Sequence, residues 1–161
     1  MIGMPGAGKS TVGMVLSKNK GLAFVDSDRV IQEQTGMLLH EIIEIEGTDG
    51  FRQVENRILS HMRVKRSVVA TGGSAVYGKE AMRHLRNIGI IVYLKYSYEA
   101  ISRRLGDLNQ RGVAMRPGQT LEALYNERVP LYERYADITV DCEHRRVREI
   151  VAEISARLPR N

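Results

Sequence analysis

The chain has 161 residues, 43% hydrophobic and 27% charged, with a formal net charge of +5. Such a mix excludes a disordered polar tail, and the length suits one domain over residues 1–161 with a real hydrophobic core. One cysteine, Cys142, excludes an internal disulfide framework and a cysteine-ligated zinc site, so a reducing, cytoplasmic setting is expected.

The first nine-residue stretch with chemical meaning is Gly3-Met4-Pro5-Gly6-Ala7-Gly8-Lys9-Ser10-Thr11. It fits the phosphate-binding loop G-x-x-x-x-G-K-[ST] at every fixed position. Its glycines allow successive backbone N–H groups to turn inward around an anion, so Gly6, Ala7, Gly8 and Thr11 are expected to line a nucleotide's phosphates. Lys9 is expected to reach the outer phosphates and Ser10 to offer its hydroxyl to Mg²⁺. A helix starting near Lys9 would aim its positive end at the same charges. A complete buried strand normally precedes such a loop, and only Met1 and Ile2 do here. Either the first strand is very short or the natural start lies upstream.

Thr11 to Ser17 has helical periodicity, stopped by Asn19-Lys20-Gly21. Leu22 to Val25 reads as a buried parallel strand delivering Asp26-Ser27-Asp28 at its carboxyl end. Helical patterns follow over Arg29 to Gln34, Leu38 to Glu46 and Thr48 to Arg63. Ser67 to Thr71 is the next strand, ending in Gly72-Gly73-Ser74. A helix over Lys79 to Arg86 leads to a strand over Ile90 to Leu94, and Ser97 caps a helix reaching Leu105. The apolar run Ile88 to Leu94 is far too short to span a bilayer, so no membrane partner is expected. Residues 106–119 lack an apolar period and suit a mobile lid. Thr120 caps a helix over Leu121 to Tyr135, with a bend expected at Pro130. A strand over Ile138 to Val140 and a helix over Val147 to Leu158 close the chain. Alternating β and α elements predict an α/β fold, a parallel sheet with helices on both faces. Arg and Lys are spread through these segments, which argues against nucleic acid as a partner.

Several residues carry candidate chemistry. Asp26 and Asp28, two apart on an extended strand end, would face one side, with Ser27 on the other. One carboxylate would serve the metal shell and the other would orient or deprotonate an acceptor hydroxyl, and a cationic site would keep both ionised. Arg52 and Glu55 fall on one helical face, as a surface ion pair or as site residues. Gly72-Gly73 would let a ligand approach the backbone. Arg111 and Arg116 sit in the irregular stretch, where a lid would carry cations over a transferring phosphoryl group. Arg128 would clamp a carboxylate bidentately or face solvent. Met82, Tyr125 and Tyr132 read as core, and the four histidines lack metal-ligand spacing.

Taken in order, the loop Gly3 to Thr11, Asp26-Ser27-Asp28, Phe51-Arg52 with Glu55, Thr71-Gly72-Gly73, Met115-Arg116-Pro117 and Arg128-Val129-Pro130-Leu131-Tyr132 resemble the shikimate kinase family. The resemblance runs along essentially the whole chain. It implies a P-loop three-layer α/β/α sandwich with a five-stranded parallel sheet and a mobile lid. It also implies ATP with Mg²⁺ as phosphoryl donor and the 3-hydroxyl of shikimate as acceptor, in a protein expected to be a monomer. Position by position, Lys9 and Ser10 would serve phosphate and Mg²⁺, Asp26 would reach the metal through water, and Asp28 would be the base. Arg52 and Arg128 would pair with the substrate carboxylate, Gly73 beside Gly72 would offer its backbone, and Arg116 would reach the phosphates from the lid. Arg145 or Arg146 resembles the place where the family packs an arginine on adenine. The chain departs from the pattern at Ser74, where a third glycine is usual, at Gly118, where leucine is usual, and in its clipped first strand. Another hydroxy acid or a nucleoside monophosphate as acceptor, and a non-catalytic nucleotide-binding module, are the competing readings.

Overall fold

The structure is a computed structural model that describes residues 1–106 and 113–159. Helix α1 (Lys9–Lys20) starts at the phosphate loop and stops at Gly21 in a left-handed conformation. Strand β1 (Ala23–Asp26) runs directly into α2 (Ser27–Thr35), with the Asp26 side chain accepting from the Asp28 N–H as the helix cap. Asp28 therefore lies in the first turn of a helix, not on a strand end as the two-residue spacing suggested. The carboxylate that caps the turn outcompetes continued extension, because it satisfies one of the helix's orphan donors. Helix α3 (Leu39–Ser60) joins the two segments expected on either side of Gly47, and that residue is non-helical at φ 71°, ψ 175°.

Strand β2 (Ser67–Ala70), a short 3₁₀ turn (Ala75–Tyr77), α4 (Lys79–Ile88), β3 (Val92–Lys95) and α5 (Tyr98–Leu105) follow. Then come α6 (Leu121–Tyr135), β4 (Ile138–Asp141) and α7 (Val147–Arg157). Ser97 and Thr120 cap α5 and α6 as their positions predict, each accepting from the N–H three residues on. Helix α6 continues through Pro130 to Tyr135.

Among the described residues four strands form, in two parallel pairs, β1 with β2 and β3 with β4. The expected fifth strand is reduced to a bridge. Ile2 donates to the Val92 carbonyl and accepts from the Leu94 N–H, while the Met1 carbonyl accepts from the Thr71 N–H. These two residues join the pairs, so the phosphate loop leaves from between β2 and β3. Helices α1 and α7 pack together, as do α3 and α4, and the main core runs from Ile2 through Tyr93 and Val140 to Ile154. Met82 and Tyr132 are fully buried within it, as expected; Tyr125 is only partly buried against it. Among the described residues no helix is long and apolar enough to cross a membrane.

Candidate active site

The carboxyl ends of β1 and β2 and the loop before α1 open into one cavity of about 430 Å³. Open α/β sheets place ligands at this end because strand-to-helix loops converge there and helix N-termini aim at it. Gly6 and Gly8 hold φ of 79° and 80°, a region that a β-carbon penalises, and this curls the loop around the start of α1. Gly6, Gly8, Ser10 and Thr11 line the cavity, whereas the Ala7 side chain is buried behind it. Lys9 is buried and its Nζ donates to the carbonyls of Gly3 (2.8 Å) and Met4 (2.9 Å). Burial lowers its pKa to about 8, opposed chiefly by the Asp28 carboxylate. Ser10 Oγ donates to Asp26 Oδ2 at 3.2 Å, so hydroxyl and carboxylate meet at the cavity edge. Two hard oxygen donors beside a phosphate loop suit Mg²⁺, which takes few protein ligands and completes its shell with water and phosphate.

The far side of the cavity is built from α2, α3, α6 and the turn after β2. Asp28, Gly72, Gly73, Ser74 and Arg128 line it. The Gly72 N–H donates to the buried Ser27 Oγ at 3.1 Å, tying the turn to the start of α2. Tyr132 OH donates to the Gly73 carbonyl at 2.6 Å from beneath. A β-carbon on Gly72 would lie 2.8 Å from both Asp28 Oδ1 and Glu55 Oε1, and one on Gly73 would lie 2.8 Å from Arg128 Nη1. A side chain at either glycine would have to displace the charged groups around the turn, and at Gly73 it would also meet the Pro5 ring at 2.9 Å. Burial, and then the neighbouring Asp26 carboxylate, raise the Asp28 pKa, with Lys9 opposing. For Asp28, desolvation outweighs the opposing pull of the Lys9 ammonium.

Arg52 and Glu55 do not pair with each other. Glu55 is 1% exposed and accepts from Ser74 Oγ at 2.5 Å, while its Oε1 is buried without a partner among the described residues. Arg52 stacks 3.6 Å from the centre of the Tyr77 ring, and its Nε and Nη2 are buried without hydrogen bonds among the described residues. The Tyr77 hydroxyl accepts from Arg128 Nε at 3.4 Å and donates to Glu127. Arg128 is 1% exposed, and its Nη2 donates to the Ala114 carbonyl at 3.0 Å. Tyr77 therefore sits between the two arginines, a role its isolated position in the sequence did not signal.

The remaining candidates are dispersed. Arg116 is half exposed and pairs with Asp49 at 3.7 Å, away from the cavity lining. Arg111 and most of the first half of the expected lid fall outside the described residues. Arg145 lines a smaller cavity with Tyr96 and Cys142, but its guanidinium is held by Glu153, and Arg146 is exposed at the start of α7. Arg104 was missed by the sequence reading. Its Nε donates to the Gly6 carbonyl at 2.8 Å, its guanidinium lies 4.6 Å from the Tyr96 ring centre, and it lines both cavities. Helical spacing on α5 alone could not reveal that contact, which spans 98 residues.

Sheet, loop and helix arrangement define the class, a P-loop α/β protein. A sequence model of the shikimate kinase family matches residues 5–159. Shikimate kinase of Haemophilus influenzae is 39% identical over 158 residues, covering 96% of this chain and 88% of that protein. Shikimate kinase from Acinetobacter baumannii, solved in complex with shikimate, superposes with a TM-score of 0.85 at 33% identity, covering 98% and 93% of the two chains. The Aquifex aeolicus enzyme gives 0.81 at 33% identity, covering 96% and 92%. The chain belongs to the shikimate kinase family.

Proposed function

We propose that this chain transfers the γ-phosphoryl group of ATP to the 3-hydroxyl of shikimate, giving ADP and shikimate 3-phosphate. Family membership supports the activity, and one observation carries the site. A single cavity holds the phosphate loop on one side and Asp28, Gly73 and Arg128 on the other. The same reading takes the chain as one domain, supported by a core shared from Ile2 to Ile154.

In this reading the loop amides and Lys9 bind the β- and γ-phosphates, with Thr11 beside them and Arg104 flanking the nucleotide's base side. Ser10 and Asp26 would hold Mg²⁺, which would offset charge on the phosphate oxygens when bound. Arg128 and Arg52 take the acceptor's carboxylate, since both are planar donors held by Tyr77 with hydrogen-bonding capacity to spare. Gly72 and Gly73 let the acceptor ring approach the backbone. Asp28 accepts the proton of the 3-hydroxyl as that oxygen bonds to the γ-phosphorus and the bond to the β-phosphate oxygen breaks. Arg116 exchanges its exposed pairing with Asp49 for the transferring group, an exchange that costs little because such surface pairs contribute about 0–1 kcal/mol.

Purified protein with ATP·Mg should release ADP only when shikimate is present. ADP release that ignores shikimate, or that a nucleoside monophosphate supports equally, overturns the reading. Arg128→Ala should raise the KM for shikimate by about two orders of magnitude or more, as expected for a buried charge-assisted contact, with little change in the KM for ATP. Tyr77→Ala should raise the same KM by about tenfold through loss of the stacking platform, and Tyr77→Phe by less. Equal loss in both Tyr77 variants would assign the effect to the hydroxyl instead.

A further inference from the structure

Ser74 stands where the family usually carries glycine, and its backbone does not explain the difference. At φ −87°, ψ −6° the residue is in the right-handed region open to any side chain. What the serine adds is a hydroxyl, 4% exposed as a residue, that donates to Glu55 Oε2 at 2.5 Å. The opposite oxygen, Oε1, is buried and has no hydrogen-bond partner among the described residues. It borders Gly72 together with Asp28 Oδ1, each 2.8 Å from where a β-carbon on Gly72 would sit. The two carboxylate oxygens therefore stand close together over one glycine. A buried polar atom without a partner is costly, so an oxygen kept in that state beside a ligand cavity is waiting for a donor.

We propose that Ser74 is a positioning residue for acceptor recognition. Its hydroxyl fixes one oxygen of Glu55 so that the other receives a hydrogen bond from a ring hydroxyl neighbouring the one that Asp28 deprotonates. The proposal rests on the assignment of this cavity to shikimate. It makes Ser74 and Glu55 a reader of the acceptor's second hydroxyl, separate from the arginines that read its carboxylate. Burial lifts the Glu55 pKa to about 7, and the Ser74 hydrogen bond pulls against that rise. Asp28 pushes it up from α2, while Arg128 of α6, Arg52 of α3 and Lys9 of α1 favour the charged form. Without the Ser74 hydroxyl, Glu55 holds its proton to higher pH and loses its fixed orientation.

The test compares wild type, Ser74→Ala and Ser74→Thr with shikimate and with its analogues lacking the 4- or the 5-hydroxyl. Wild-type turnover of shikimate is measured first, and its absence would sink the assignment of the cavity and this proposal with it. Given turnover, Ser74→Ala should raise the KM for shikimate about tenfold while kcat and ADP·Mg affinity stay within about threefold, the size of one buried hydrogen bond. The acidic limb of kcat/KM should move to higher pH. Ser74→Thr, which keeps the hydroxyl, should restore both. With the 4-deoxy analogue, Ser74→Ala and wild type should converge, because the hydroxyl beside the 3-position that Glu55 reads is missing, whereas the 5-deoxy analogue should keep the difference. An unchanged KM in Ser74→Ala overturns the proposal while leaving the kinase assignment standing. So does a penalty equal across shikimate and both analogues, or a parallel loss of nucleotide affinity.

Discussion

Asp28→Asn leaves ADP·Mg affinity within about threefold of wild type and lowers turnover of shikimate by about 10²–10⁴-fold, the range of a lost general base. The amide keeps the size and hydrogen-bonding reach of the carboxylate but cannot take a proton. The fold around it should survive, because the helix cap at this point is made by the Asp28 backbone N–H and the Asp26 side chain. Burial and the Asp26 charge raise the Asp28 pKa, which strengthens it as a base. The acidic side of the wild-type rate profile therefore falls as pH drops through that raised pKa, and the fall attributable to Asp28 disappears in Asp28→Asn. Phosphoryl transfer has a loose transition state in which positioning and charge supply most of the acceleration, so residual activity is expected. Steady-state kinetics near the wild-type rate, with nucleotide affinity retained, would remove Asp28 from the base role.

Lys9→Met should act on activity and stability in opposite directions. Turnover should fall by about 10²–10³-fold or more, since a preorganised charge at the transferring phosphate is lost. Stability of the nucleotide-free protein should rise at neutral pH. The native Lys9 pKa is about 8 against an ordinary value of 10.5. Below pH 8 both native and unfolded chains carry the charge, and the native state bears the full cost of burying it. Between pH 8 and 10.5 the unfolded chain still holds the proton that the native protein has released, so stability increases with pH across that window and the cost is relieved. A shift of about 2.5 corresponds to about 3 kcal/mol. Hydrogen bonds from Nζ to Gly3 and Met4 offset about 1–2 kcal/mol of it, leaving a net gain of about 1–2 kcal/mol for the methionine. Urea denaturation at pH 7 with and without ADP·Mg checks this. Nucleotide should stabilise wild type more than Lys9→Met, and a destabilised variant would contradict the account.

Much of this was readable because its causes are local. The phosphate loop depends on glycines within six residues of one another, and the caps at Ser97 and Thr120 each reach only three residues along the chain. The helix break at Gly47 and the strand ends that deliver Asp26 and Thr71 likewise followed from adjacent residues. Spacing left the partners open where a tertiary contact intervened. Arg52 and Glu55 share a helical face, yet Tyr77 took the arginine and Ser74 took the acid, and both come from the turn after β2.

By itself the sequence determined the phosphate loop, the alternation of strands and helices, and the acids and arginines that chemistry would need. Only the tertiary structure decided that Met1 and Ile2 bridge the two strand pairs, that Arg104 meets Gly6, and that Tyr77 joins Arg52 to Arg128. The physical reason is that these outcomes depend on which distant groups exclude water from one another. Periodicity along a chain reports a residue's own face, and it is silent about what another element brings against that face.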